Sequence, residues 1–163
     1  MHFIHARLQG GKLNKAKKGE LRFPLPVGLS YSYGDDGQIV LDPDQEVRAA
    51  VRLVFSAFRE MGSAYAVVQH FAYKGLRFPK RAYGGARDGK LIWGRLTHDR
   101  VLGVLKNPSY AGMYTFGRYR RSKEVSSDGE VRTRTKPVPM YSWHVRIKEH
   151  HEGYITWDEF RGT

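Results

Sequence analysis

The sequence contains no cysteine. Disulfides, cysteine-ligated zinc and thiol catalysis are thereby excluded, and a small cysteine-free chain fits a reducing cytoplasm. Long apolar runs are missing too. None approaches the ~18 residues that a membrane span needs, so no membrane partner is expected. The N-terminal MHFIHARLQGG is too short and too interrupted for a secretory signal. Acidic residues are scarce: 16 Asp and Glu stand against 28 Lys and Arg, a net charge of +12 over 163 residues. At this length such a balance points to a nucleic-acid partner. Signatures of catalysis are also lacking, with no Gly-x-Ser-x-Gly stretch, P-loop or dinucleotide glycine pattern.

What is present reads as α+β. Residues 3–9 are a possible helix, and 10–22 a basic linker or arm whose glycines weaken any helix. Lys12, Lys15, Lys17 and Lys18 are its cations. Two prolines make Phe23 to Val27 extended, and Gly34-Asp35-Asp36-Gly37 between short apolar runs predicts a hairpin. Asp42-Pro43-Asp44-Gln45 reads as a helix start with Asp42 as N-cap, Pro43 at the first position and Gln45 closing a capping box. Val47, Ala50, Val51, Val54, Phe55 and Phe58 then fall on one helical face. Gly62 ends that helix, and Ser63 caps a second one with Ala66, Val67, Val68 and Phe71 as its apolar side. Residues 76–95 lack periodicity and read as a mobile surface loop. Thr97 caps a third helix over 98–106, buried through Val101, Leu102 and Leu105 and stopped by Asn107-Pro108. Met113 to Lys123 and Val131 to Val138 read as the strands of one hairpin, turning at Ser126 to Gly129, and Trp143 to Lys148 as a further alternating piece. Thr156 opens a last helix that the sequence cuts off at Thr163, so C-terminal truncation is expected.

Three helices followed by a basic hairpin predict a helix-turn-helix, winged-helix-like core. The hairpin carries seven cations against Glu124, Asp128 and Glu130, a net charge of +4. In this reading Thr97, His98, Arg100, Gly103 and Lys106 face a major groove, where base edges carry sequence information. Arg118, Arg120, Arg121, Arg132 and Arg134 clamp phosphates, which position without specifying. The lysines of the arm suit a minor groove. Helix and hairpin are expected to meet one duplex. The cluster of His144, Glu149, His150, His151 and Glu152 lacks the i, i+4 spacing of a helical zinc pair. No catalytic residue, metal site or cofactor is expected.

Longer stretches carry a resemblance. KLNKAKKGELRFPLPVGLSY resembles the junction where large serine recombinases pass from catalytic to DNA-binding domain. GLSYSYGDDGQIVLDPDQEVRAAVRLVFSAFREMGSAYAVVQHFAYKGLRFP resembles the start of that family's recombinase domain, WGRLTHDRVLGVLKNPSYAGMYTFGR its central signature, and HHEGYITWDEF its closing segment. The similarity runs from about Leu13 to Phe160, and its order and spacing make it specific.

The resemblance implies a DNA-binding module of a resolvase-related, site-specific recombinase from a bacterium, phage or transposon. Residues 1–22 would be the end of a connecting helix from a missing catalytic domain, and 23–163 the DNA-binding domain. The family's nucleophilic serine matches no residue here, and its frequent zinc ribbon is excluded by the lack of cysteine. The implied partner is double-stranded DNA, one half of an attachment site, in a nucleoid-associated cytoplasmic protein whose self-association lies in absent parts. The parent activity would be DNA integration and excision, with no cutting by this chain alone. The alternative is an RNA-binding or ribosome-associated basic module, which shares the charge but would stack bases on exposed aromatics.

Overall fold

A computed structural model describes residues 2–33, 37–82, 85–87 and 89–163. Gly34, Asp35 and Asp36 of the expected first turn, and Tyr83, Gly84 and Asp88 of the expected loop, lie outside the described residues. The chain is mixed α+β. Among the described residues it has five α-helices and four antiparallel strand pairs. It divides into two compact units, one of residues 23–112 and 151–163, the other of 1–22 and 113–150.

The first, mainly helical unit opens with β1 (Leu29–Tyr31) and β2 (Ile39–Leu41), paired with Leu29 opposite Leu41. Helix α2 (Gln45–Met61) follows and buries Val47, Ala50, Val51, Val54 and Phe55 of the expected stripe, while Phe58 at its end is half-buried. Its N-cap is Asp44, whose carboxylate accepts from the Glu46 N–H at 2.9 Å. The expected cap, Asp42, is instead buried. It accepts from the Asp44 N–H at 2.9 Å and from the Arg81 guanidinium at 3.0 Å. Gly62 ends α2 in a left-handed conformation, φ 77°. Ser63 then caps α3 (Ala64–Tyr73), which buries Ala64, Val67 and Phe71.

Residues 76–95 are not wholly a loop. Phe78–Arg81 forms β3 and Leu91–Gly94 forms β4, paired antiparallel with Pro79 opposite Trp93. Phe78 is fully buried, its ring edge-on to Phe71 at 6.3 Å. Glycines and lysines around the turn hide this short pair from any periodicity test. Helix α4 (His98–Leu105) follows, and α2, α3 and α4 pack on one another. Burying apolar side chains such as Val101 and Phe71 stabilises by roughly 1.5–3 kcal/mol each.

The Asn107-Pro108 stop becomes a 3-10 turn over Pro108–Ala111, with Asn107 accepting from the Ser109 N–H at 3.0 Å. Tyr110 is its anchor: its hydroxyl donates to the Val27 carbonyl at 2.6 Å, and its ring meets Phe55 and Tyr154 edge-on. The Tyr110 carbonyl accepts from the N–H groups of Tyr154 and Ile155. Gly153 is required there, since a Cβ would come within 2.5 Å of that carbonyl. The Tyr154 hydroxyl donates to the Gly28 carbonyl at 2.6 Å. Burial, then the Asp42 carboxylate, push its pKa up to about 12, so it remains a donor. Helix α5 (Trp157–Arg161) closes the unit, capped by Thr156.

In the second unit, α1 spans His2–Lys17, eight residues past the expected end of helix at residue 9. Ala16 is fully buried and α1 packs on β5 (Tyr114–Phe116), contacts that outweigh the helix penalty of Gly10 and Gly11. Gly19 takes φ 71°, and its carbonyl meets the His150 ring nitrogen at 3.0 Å. The hydroxyl of buried Tyr114 donates to the Leu21 carbonyl at 2.7 Å. β5 pairs with β8 (Val145–Ile147), and not with the strand expected to pair with it. Gly117 at φ 89° breaks the expected long strand. β6 (Tyr119–Val125) and β7 (Val131–Pro137) then form a separate two-stranded ribbon.

Candidate nucleic-acid interface

Three sets of expected contact residues are found, one on α4 in the first unit and two, the ribbon and the lysines at the end of α1, in the second. On α4 the sequence makes a two-sided rod. At 3.6 residues per turn, Val101, Val104 and Leu105 fall together, and all are buried. Asp99, Gly103 and Lys106 fall on the opposite arc, His98 lies at its margin beside Leu105, and all four are exposed. Thr97, also exposed, caps the helix by accepting from the Arg100 N–H at 3.3 Å. That arc offers an imidazole, a carboxylate, an ammonium and a hydroxyl, groups able to hydrogen-bond base edges. Gly103 stands among them, and a Cβ there would meet nothing within 4 Å. Among the described residues, no contact at this position calls for a glycine.

Arg100 departs from the expected set. Its guanidinium donates to the Pro79 carbonyl at 2.8 Å and lies 4.9 Å from the centre of the Phe78 ring. Burial lowers its pKa from the ordinary guanidinium value. It ties α4 to β3 instead of facing outward with His98 and Lys106. What holds it is β3: the Pro79 carbonyl and the Phe78 ring both lie within reach of its guanidinium.

The arginines around the ribbon separate in the same way. Arg118 is held over the rings of Tyr119 and Trp143, with burial lowering its pKa. Arg120 donates to the carbonyls of Gly117 and Ser142, both at 2.6 Å. These two brace the base of the ribbon. Arg121, Arg132 and Arg134 are exposed. Arg134 and Lys136 both pair with Glu124, at 3.4 and 2.6 Å, and Arg132 pairs with Glu130 at 3.6 Å. The Lys136 hydrogen bond is the main cause holding the Glu124 carboxyl below its usual range.

Lys12, Lys15, Lys17 and Lys18 are all exposed, but on the last turns of α1 and the turn after it. They are not strung along an extended arm. Cations there also complement the helix C-terminus. The three histidines of the 144–151 segment are held by the fold: His144 lies beside Phe116, His150 beside Tyr114, and the His151 ring meets the Ser109 carbonyl at 2.8 Å. Among the described residues no group of three or more His, Asp or Glu is placed to hold a metal, and no helix is long and apolar enough to cross a membrane.

One exposed stripe went unnoticed in the sequence. Tyr65, Gln69 and Tyr73 are spaced i, i+4, i+8 on α3, with Gln69 donating to the Tyr65 hydroxyl at 2.8 Å. Tyr65 and Tyr73 are 63% and 88% exposed, which sets them apart from buried Tyr110 and Tyr114. Their spacing was the available signal, but aromatic residues at helical spacing read first as core.

Comparison with known proteins places this architecture. A family model described as Recombinase matches residues 45–162, more than half of the chain. The uncharacterized protein y4bA/y4pH of Sinorhizobium fredii (strain NBRC 101917 / NGR234) is 42% identical over 164 residues, covering 98% of this chain and 22% of its own length. The crystal structure of an LSR–DNA complex, LSR denoting large serine recombinase, has a similar fold. It matches with a TM-score of 0.54 at 17% identity, over 96% of this chain and 36% of the solved one. The chain thus spans about a fifth of the curated relative and about a third of the solved chain. The extent of the family match decides the assignment: the chain belongs to the Recombinase family.

Proposed function

We propose that these 163 residues are a double-stranded DNA-binding domain of a site-specific large serine recombinase, built on a helix-turn-helix, winged-helix-like core. The longer protein would integrate and excise DNA, and this domain would grip one half of an attachment site. The observation that carries the reading is the two-sidedness of α4. Its apolar arc is sealed in a three-helix pack, while the opposite arc presents hydrogen-bonding groups around an exposed glycine. A major groove admits a helix of this kind, with the outward groups meeting base edges. Thr97, His98, Gly103 and Lys106 are the proposed readers. The lysines of α1 and the outward cations of the ribbon are the proposed phosphate contacts. A fold shared with a protein crystallised on DNA, and the net charge of +12, support the same reading. No cleavage chemistry is assigned to this segment, and self-association is proposed for other parts of the longer protein.

The RNA-binding alternative asks for aromatic stacking platforms on an exposed sheet. Competition separates the two. A labelled duplex bound to the protein is challenged with unlabelled duplex or single-stranded RNA over a range of salt. Duplex DNA should compete at the lower concentration, and affinity should fall steeply with salt, as for five to eight phosphate contacts, with a log–log slope of roughly −5 to −7. More effective competition by RNA would reject the DNA reading.

A further inference from the structure

The β6–β7 ribbon has two chemically different faces. Residues alternate from face to face along each strand, and directly paired residues share a face. The register places Arg120 opposite Lys136, Ser122 opposite Arg134, and Glu124 opposite Arg132. That face therefore carries Glu124 among the cations, and its arginines and lysine are engaged. Arg134 and Lys136 bind Glu124, Arg132 binds Glu130, and Arg120 binds two carbonyls. The other face carries Arg121 opposite Thr135, Lys123 opposite Thr133, and Val125 opposite Val131. It has no carboxylate, and neither Arg121 nor Lys123 has an ion pair among the described residues.

All of β7 is exposed, as are Arg121, Ser122, Lys123 and Val125 of β6. A two-stranded ribbon with no core beneath it is marginal in water, so a surface that receives one face would also order it. The valine pair supports this, being 72% and 62% exposed on the carboxylate-free face. We propose that the Arg121, Lys123, Thr133 and Thr135 face is the side of the ribbon that lies on duplex DNA, with the Glu124 face turned to solvent. The proposal rests on the duplex-binding reading above and narrows it: Arg132 and Arg134, expected as clamp residues, belong to the solvent side. Arg121 and Lys123 would each neutralise a phosphate. Thr133 and Thr135 would donate hydroxyl hydrogen bonds to the backbone, which add affinity without displacing counterions. On the other face a carboxylate held against phosphates would oppose binding.

The test measures duplex affinity of the full 163-residue chain at several salt concentrations. Arg121→Gln with Lys123→Gln should flatten the log–log salt slope by about 1.8, two phosphate contacts at about 0.9 each. Arg132→Gln with Arg134→Gln should leave the slope near that of the unaltered chain. Thr133→Val with Thr135→Val keeps β-branched side chains of similar shape and should weaken binding with the slope unchanged. The proposal is overturned if the Arg132/Arg134 variant flattens the slope as much as the Arg121/Lys123 variant, or if the threonine variant binds like the unaltered chain. An unaltered chain that fails to bind duplex DNA overturns the functional reading as well, so the two failures are distinguishable. Circular dichroism on each variant confirms that the helices are intact.

Discussion

Helix α4 and the β6–β7 ribbon hold their polar groups outward by opposite means. The helix has a sealed apolar back, packed against α2 and α3, so its outward arc is fixed in space. Among the described residues the ribbon shows no apolar back, and its base is braced by Arg118, Arg120 and the Trp143 indole donating to the Val138 carbonyl at 3.0 Å. A rigid arc suits hydrogen bonds to base edges, which demand defined geometry. A pliant, charged ribbon suits phosphates, which tolerate variation and are present in every sequence. The contrast also teaches that arginine count is a poor guide to contact. Arg100, Arg118 and Arg120 all serve the fold.

The largest expected effect breaks the rigid side of this contrast. Leu105→Ala, at a nearly fully buried position, should cost about 2–5 kcal/mol. Thermal unfolding followed by circular dichroism should show a lower midpoint. Substitutions at exposed Arg121 or Thr133 should stay within about 0.5 kcal/mol. Equal losses at the two places would remove the distinction between a packed helix and an unsupported ribbon.

Gly103→Ala sharpens the comparison with a smaller, signed pair of effects. Alanine should raise stability by roughly 0.5–1 kcal/mol, because glycine is a poor interior helix residue and the added methyl has open space. The same methyl would stand on the arc proposed to approach DNA, so duplex affinity should fall. A more stable protein with undiminished binding would mean that nothing approaches α4 closely there. Smallest is Glu124→Gln. Removing one carboxylate from the ribbon should tighten duplex binding modestly at low salt, with the gain vanishing as salt screens it. Weaker binding after this change would mean that the Glu124 pairs organise the contact.

Local signals were readable where neighbours in sequence are also partners in space. The apolar stripe of α2, the Gly62-Ser63 hinge, the Thr97 cap and the Asn107-Pro108 stop are all of this kind. Distant partners misled. Asp42 resembles an N-cap, but Arg81, 39 residues away, draws it into an ion pair and leaves the cap to Asp44. β5 finds β8 across the whole ribbon, a pairing that adjacent hydrophobic patterns do not report. α1 continues through two glycines because Ala16 is buried by tertiary contacts. The candidate site follows the same rule. The outward arc of α4 came from helical periodicity alone. The inward turn of Arg100 and the two faces of the ribbon needed the carbonyls, rings and strand register that folding brings together.

The most direct test of the account is selection of bound duplexes from a random pool, run with the unaltered chain, with His98→Ala plus Lys106→Ala, and with Arg121→Gln plus Lys123→Gln. The unaltered chain should enrich one site of about a helical turn. The α4 variant should enrich a different or relaxed site, and the ribbon variant the same site at lower affinity. An unenriched pool, or a sequence preference that follows the ribbon and ignores α4, would contradict it.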